Sequence, residues 1–148
     1  MFIYLVFAGV SNFGIQHLEE LFSWNGLTVQ PMVNQVQIHT RLAQQPLVEY
    51  CQQRNIVVTA FCPLSESDLS AKPLHDAAAA HGVSPAAVVL RWLLQRGIVA
   101  IQKSSNREKL KENVSTPRGW SLTSDEMSAI NALDQDLHSN SGGPRTMP

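Results

Sequence analysis

The chain has 148 residues, enough for one domain with a real core and little more. A hydrophobic content of 44% with 16% charged residues is globular, and a net charge of −1 leaves no electrostatic footprint for nucleic acid or an anionic membrane. Cys51 and Cys62 follow no metal spacing and form no disulfide scaffold, so a reducing, cytoplasmic setting is expected, with no metal site.

Residues 1–8 are apolar throughout. The run is too short to span a bilayer and lacks the basic flank of a signal peptide, so it reads as a buried strand or part of one. A chain that opens inside a core strand suggests truncation. Residues 8–13 end that strand and turn. Ile15, Leu18, Leu21 and Phe22 then recur at helical spacing, with Glu19 and Glu20 off that face, until Asn25-Gly26 stops the helix. Residues 32–37 alternate as a second strand. Leu47, Tyr50 and Cys51 make the apolar stripe of a second helix, with Pro46 near its first turn.

Residues 56–61 are β-branched and continuous, the pattern of a strand buried on both faces. A polar loop over 65–70 leads to an alanine-rich helix over 74–80, stopped by His81-Gly82. Ser84 and Pro85 supply an N-cap and a first-turn proline for a strong helix through Gln95. Residues 98–101 read as a buried strand, and a charged helix follows at once. Ser105 with Glu108 fits a capping box, and Lys103, Arg107 and Lys109 place three cations within seven residues. A helix start with unpaired N–H groups and cations is a place to hold phosphate. An ordinary strand–helix join with solvated lysines is the alternative. Thr123 with Glu126 makes another capping box, for a helix carrying Met127, Ile130 and Leu133.

The resulting order, β-α-β-α-β-α-α-β-α-α, predicts an α/β fold of parallel-strand β/α units. Four such strands fit a small open sheet or about half of a (β/α)8 TIM barrel, which needs roughly 250 residues to close. Residues 1–137 form that unit, and the Gly/Ser/Pro-rich stretch 138–148 reads as a flexible tail.

Four strand ends can be read together: Gly9-Val10-Ser11-Asn12-Phe13, Val33-Asn34-Gln35-Val36, residues 58–64 and residues 101–106. With Arg91-Trp92-Leu93-Leu94-Gln95-Arg96-Gly97 and Lys111-Glu112-Asn113, they resemble successive motifs of the aldo-keto reductases, in order and spacing from about Ala8 to Asp134. The resemblance implies the carboxyl-terminal half of a (β/α)8 barrel, strands five to eight with their helices, binding NADPH in extended form at the carboxyl ends of its strands. It assigns Ser11, Asn12 and Gln35 to the nicotinamide carboxamide and Phe61 to the aromatic position, usually tyrosine, that stacks on the nicotinamide. Cys62 and Leu64 follow in the same cofactor-binding motif. Lys103 and Ser104 fall at the phosphate of the adenosine half, Ser105 follows them among the cofactor-binding residues, and Lys109 stands where an arginine commonly faces the 2′-phosphate. Glu112 and Asn113 match residues near the adenine. A lysine lacks the planar fork of arginine, so preference for NADPH over NADH is left open, with Arg107 able to compensate.

Read without the resemblance, Asn12 and Gln35 cap strand ends, Phe61 is core, and Cys62 is more readily a buried or inert cysteine than a reactive thiol. Departures from the family pattern fall in loops: Ser65 after Leu64, Gln102 before Lys103, and Thr40 after His39. The family's catalytic tyrosine, lysine, aspartate and histidine lie on earlier strands. The chain is therefore expected to hold the cofactor half of a carbonyl-reducing enzyme without its tetrad, and to be inactive alone. Tyr4 sits in an apolar run and Tyr50 on a helix face, so neither is a candidate acid. His17, His39, His75, His81 and His138 have no acid partner at a telling spacing and read as surface or helix-end residues. The complete enzyme would act on a small carbonyl substrate. The chain itself is expected to bind neither nucleic acid nor membrane, and to self-associate through open barrel edges. The alternative is a non-catalytic nucleotide-binding or assembly module of the same descent.

Overall fold

Short apolar runs become four strands, β1 (Ala8–Ser11), β2 (Pro31–Gln37), β3 (Val57–Phe61) and β4 (Val99–Ile101), in a computed structural model that describes residues 7–115 and 119–138. Most of the apolar run at 1–8, and all of the tail at 138–148 except His138, lie outside the described residues. The strands stand side by side in chain order, every pair parallel. Parallel neighbours require crossovers, and α1 (Ile15–Ser23), α2 (Gln45–Gln53) and the pair α3 (Lys72–His81) and α4 (Pro85–Gln95) supply them. After β4 come α5 (Arg107–Ser115) and α6 (Ser124–Asn131). This is the expected α/β order, a partial barrel of four parallel strands.

Register sorts the strand residues into two faces. Val10, Asn34 and Val58 form one row, and Val36, Ala60 and Ala100 the next. These rows meet the helices, where Val36, Val58 and Ala60 pack with Leu18, Val48, Cys51, Val88, Trp92 and Leu93 in one buried cluster. The alternate rows are Gly9–Val33–Val57, Ser11–Gln35–Thr59–Val99 and Gln37–Phe61–Ile101. The sequence predicts burial on both faces at 56–61 and at 98–101, and here the structure differs. Val57, Val99 and Ile101 are 47%, 46% and 43% exposed. Alternation sends them to the side that the helices do not cover. Phe7, Gly9, Val33 and Val57 share an apolar groove of about 390 Å³ at the amino ends of the strands on that side.

Helix ends follow local chemistry. Ser84 Oγ accepts from the Ala87 N–H at 3.2 Å, as an N-cap does. Gly82 and Gly97 sit at φ +65° and +71°, the left-handed conformation that closes α3 and α4 and that glycine adopts without a Cβ penalty. Thr123 and Glu126 form the reciprocal capping box of α6, with bonds of 3.2 and 2.7 Å. The cap of α5 departs from expectation. Asn106 holds it, its Oδ1 accepting from Glu108 N–H at 2.9 Å and Lys109 N–H at 3.2 Å. α5 begins at Arg107, one residue later than a Ser105 cap requires, and the Asn106 amide reaches both orphan donors.

Trp92, fully buried, donates its indole N–H to Asn131 Oδ1 at 2.8 Å and so fastens α4 to α6. Arg96 lies 4.4 Å from the Trp92 ring centroid and donates to the Ala43 carbonyl at 2.7 Å. Burial draws its pKa down to about 10, still charged at neutral pH. Among the described residues, no single helix is long and apolar enough to cross a membrane.

Candidate functional site

A parallel sheet places all strand carboxyl ends on one edge, and ligands in such folds gather there. At the β1 end, Ser11 and Gln35 are register partners. Ser11 Oγ donates to the Gln35 main-chain carbonyl at 3.0 Å, and the Asn12 N–H donates to the same oxygen at 2.8 Å. Asn12 stands at φ +60°, a left-handed conformation that asparagine tolerates better than most residues, and it ends the strand there. One carbonyl thus gathers three residues into a fixed group.

Phe61 is the last residue of β3 and is half-buried. It lies on the same face as Gln35, one strand over and two residues nearer the carboxyl edge. Strand spacing and rise put the two Cα atoms about 8 Å apart, the span of one planar ring with its amide. Cys62 follows at φ +54°, and the chain turns through Pro63 and Leu64. Three strand spacings separate β1 from β4, roughly 14 Å, so a ligand touching both ends must be elongated.

At the β4 end, Lys103, Ser105, Arg107 and Lys109 are exposed and Ser104 is half-buried. Ser104 Oγ accepts from the Asn106 N–H at 3.2 Å. Because Asn106 occupies the Glu108 and Lys109 N–H groups, the helix start offers an anion fewer open donors than the capping-box reading supposes. Attraction there rests on Lys103, Arg107 and Lys109, none of which forms an ion pair among the described residues. Lys111, by contrast, is paired with Glu108 at 3.0 Å. Glu112 is half-buried, and Asn113 is buried at 8% exposure.

The structure therefore brings Ser11, Asn12 and Gln35 into direct contact and sets Phe61 on their face. It places Cys62, Leu64, Lys103, Ser104, Ser105, Lys109, Glu112 and Asn113 on the two segments beyond the carboxyl ends of β3 and β4. Tyr50 lies on α2, away from this edge, with the Arg54 guanidinium 3.7 Å from its ring centroid.

His39 corrects the reading of the histidines as surface or helix-end residues. His39 is fully buried just past β2, with its Nε2 3.4 Å from Gln37 Nε2, and burial lowers its pKa to about 4. It is neutral at pH 7. His81 ends α3, as a helix-end residue does, yet it has an acid partner, Glu126, at 3.0 Å, and exposed His138 stands 3.4 Å from Asp136. The segment 39–43 touches the loop that leaves β3, through the Thr40 N–H on Ser67 Oγ and the Arg41 guanidinium on the Glu66 carbonyl, contacts that sequence reasoning did not single out. Its one signal was the unusual His39-Thr40 pair.

Comparisons with known proteins show the family and the fold. A family model described as "Aldo/keto reductase family" matches residues 7–135. An uncharacterized oxidoreductase of Bacillus subtilis, YtbE, is 43% identical over 130 residues, covering 87% of this chain and 45% of that protein. Among solved structures, the aldo-keto reductase MGS-M4, from a Medee basin deep-sea metagenome library, superposes with a TM-score of 0.85 at 29% identity, over 95% of this chain and 52% of that one. An aldo-keto reductase complexed with NADPH (AKR2E5, from the silkworm Bombyx mori) gives 0.79 at 28% identity, over 88% and 42%. The chain spans about half the length of the curated relatives it matches.

Proposed function

The chain belongs to the aldo/keto reductase family, and from that premise we propose that it is the cofactor-holding half of an NADPH-dependent carbonyl reductase. The observation that carries the reading is the shared Gln35 carbonyl, which locks Ser11 and Asn12 beside a strand whose neighbour ends in Phe61. Polar side chains beside a flat ring suit a nicotinamide amide and its ring. Three cations that form no ion pair among the described residues, on the segment after β4 and roughly 14 Å across the sheet from β1, suit the phosphates of an extended dinucleotide. Ser11, Asn12 and Gln35 would hold the carboxamide, and Phe61 would keep the ring flat against the sheet edge, with Cys62 and Leu64 beside it. Lys103, Ser104, Ser105 and Lys109 would hold the adenosine phosphates, with Arg107 in support and Glu112 and Asn113 near the base. When bound, the reduced nicotinamide supplies hydride to an aldehyde or ketone.

Reduction also needs a proton for the developing alkoxide. Among the described residues no tyrosine stands at this edge, and the one buried histidine there, His39, holds its imidazole neutral down to about pH 4. Positioned general acid catalysis is worth about 10²–10⁴ in rate. The chain by itself is therefore a binder without turnover, in a cytoplasmic setting, and the small carbonyl substrate belongs to the complete enzyme. Residues 1–137 act as the half-barrel and 138–148 as a tail. The uncovered sheet face and the two edge strands, β1 and β4, favour self-association. The alternative, a nucleotide-binding module kept for assembly, shares the binding site and differs in having no catalytic partner.

The test compares Lys103→Ala with Asn12→Ala in NADPH titrations. The cationic end needs only β4 and α5, so loss of Lys103 weakens binding more than loss of Asn12. Loss of binding from Asn12→Ala alone would contradict the assignment.

A further inference from the structure

The segment that leaves β3 carries Cys62 and Leu64, and it begins immediately after the Phe61 ring. Its backbone is not held by a helix or a strand until α3. It starts in a left-handed conformation at Cys62, and yet two ties from a different loop, three hydrogen bonds in all, hold it at fixed points. Both come from the segment just past β2.

The first is made by Arg41. Its Nε and Nη2 both donate to the Glu66 main-chain carbonyl, at 3.1 and 2.9 Å. Two donors of one rigid guanidinium on one oxygen fix direction as well as distance. The second runs through Ser67, which is buried. The Thr40 N–H donates to Ser67 Oγ at 3.2 Å, and Ser67 Oγ donates to the Pro63 carbonyl at 2.8 Å. Pro63 and Glu66 flank Leu64, so the stretch between them is pinned at both ends.

The loop that does the pinning is itself rigid. His39 and Leu42 exchange main-chain hydrogen bonds at 3.2 and 2.9 Å, and both are fully buried. The Arg41 carbonyl accepts from the Gln135 and Leu137 N–H groups at 3.1 and 3.0 Å, and the Ala43 N–H donates to Asp134 Oδ1 at 3.2 Å. Arg41 thus joins three segments: the one past β2, the one past β3 and the one past α6.

We propose that Arg41 is a positioning residue for the nicotinamide end of the site, acting through the Pro63–Ser67 loop on Phe61, Cys62 and Leu64. This rests on the cofactor assignment above and adds a residue to it. Of the hydrogen bonds that make up this clamp, none runs to the adenosine end, which is built on β4 and α5. Loss of Arg41 should therefore affect one end of an extended ligand and spare the other, a split that general destabilisation does not produce.

The experiment has one readout without ligand and one with it. In the first, an aromatic disulfide reagent titrates the two thiols. Cys62 is half-exposed and sits at the start of the clamped loop, whereas Cys51 is fully buried and reports on the fold. Arg41→Ala is expected to raise the Cys62 rate by about threefold or more while Cys51 stays protected, because local opening becomes easier without global unfolding. Arg41→Lys, with one point donor in place of the fork, should recover part of the protection, and Ser67→Ala should repeat the effect at the second tie. An unchanged Cys62 rate overturns the clamp, and so does a Cys51 rate that rises in step with it. In the second readout, NADPH affinity of Arg41→Ala should fall by about tenfold, while that of adenosine 2′,5′-bisphosphate, the adenosine half alone, stays within about twofold. Equal losses for both ligands, or none for either, overturn the positioning role. If the unmodified chain binds neither ligand, the cofactor assignment fails and takes the positioning role with it, while the thiol rates still decide whether the clamp exists.

Discussion

His81 Nε2 stands 3.0 Å from both carboxylate oxygens of Glu126, joining the last residue of α3 to the first turn of α6. Trp120 stacks on the imidazole with ring centroids 4.9 Å apart, and the Arg91 guanidinium lies 5.2 Å from the same indole. The hydrogen bond from His81, and then that from the Thr123 N–H, hold the Glu126 carboxyl below its ordinary value of 4.5.

A depressed carboxyl pKa gives stability that is present above the unfolded value and is lost as pH falls through the folded one. Glu126→Ala removes the carboxylate half of the capping box and the His81 contact, while the Thr123 cap itself stays, and it should cost about 1 kcal/mol at neutral pH, a few degrees in Tm. The gap between the two proteins should narrow as pH falls below 4.5. Melting curves over pH 3–7 check this, and a gap that widens on acidification would show that the carboxylate is not the stabilising form.

Asn131→Ala leaves the Trp92 indole N–H buried without a partner, where it now donates at 2.8 Å. An orphaned buried donor costs about 1–3 kcal/mol. Denaturant melts should show that loss with an unchanged m-value. A loss under about 0.5 kcal/mol would mean that water reaches the indole, since surface changes fall in that range.

Much of the fold was legible because most of its signals are local. Ser84, Gly82 and the Thr123–Glu126 box each close or open a helix by chemistry that depends on a few neighbours. The order of strands followed from turns and β-branched runs. Burial on the second face of β3 and β4 was not legible, because Val57 and Val99 look the same whether a partner covers them or not. The Ser105 reading failed for a different reason: Asn106 is an equally good cap, and only geometry decides between adjacent candidates. Motif order picked out Ser11, Asn12, Gln35 and Phe61, and the fold gathers these four at the carboxyl edge of the sheet. The clamp by Arg41 was not legible, because it depends on a main-chain carbonyl 25 residues away, which no side-chain pattern marks.

The cap of α5 separates the two readings directly. Asn106→Ala should expose the Glu108 and Lys109 amides to hydrogen exchange and weaken the helix by about 0.5–2 kcal/mol. Ser105→Ala should leave both amides as they are. Equal protection losses in the two variants would restore Ser105 to the cap.

The uncovered sheet face has its own consequence. Val57, Val99 and Ile101 are 47%, 46% and 43% exposed there, and covering apolar surface is worth about 25 cal/mol per Å². The 148-residue chain should therefore associate, and Val57→Lys with Val99→Lys should reduce the scattering mass by making the face polar. A cooperative, monomeric melt of the unmodified chain would remove the argument for association.

The central claim is that this chain holds a nicotinamide dinucleotide across the carboxyl edge of its sheet. Titration of the purified 148-residue chain with NADPH, followed by fluorescence, tests it most directly. Trp24, Trp92 and Trp120 supply the protein signal, and a thermal melt of the same sample reports on folding. The account predicts saturable quenching, a Tm that rises with NADPH by mass action, and no turnover when an aldehyde is added. A cooperatively folded chain whose fluorescence and Tm ignore NADPH would contradict it.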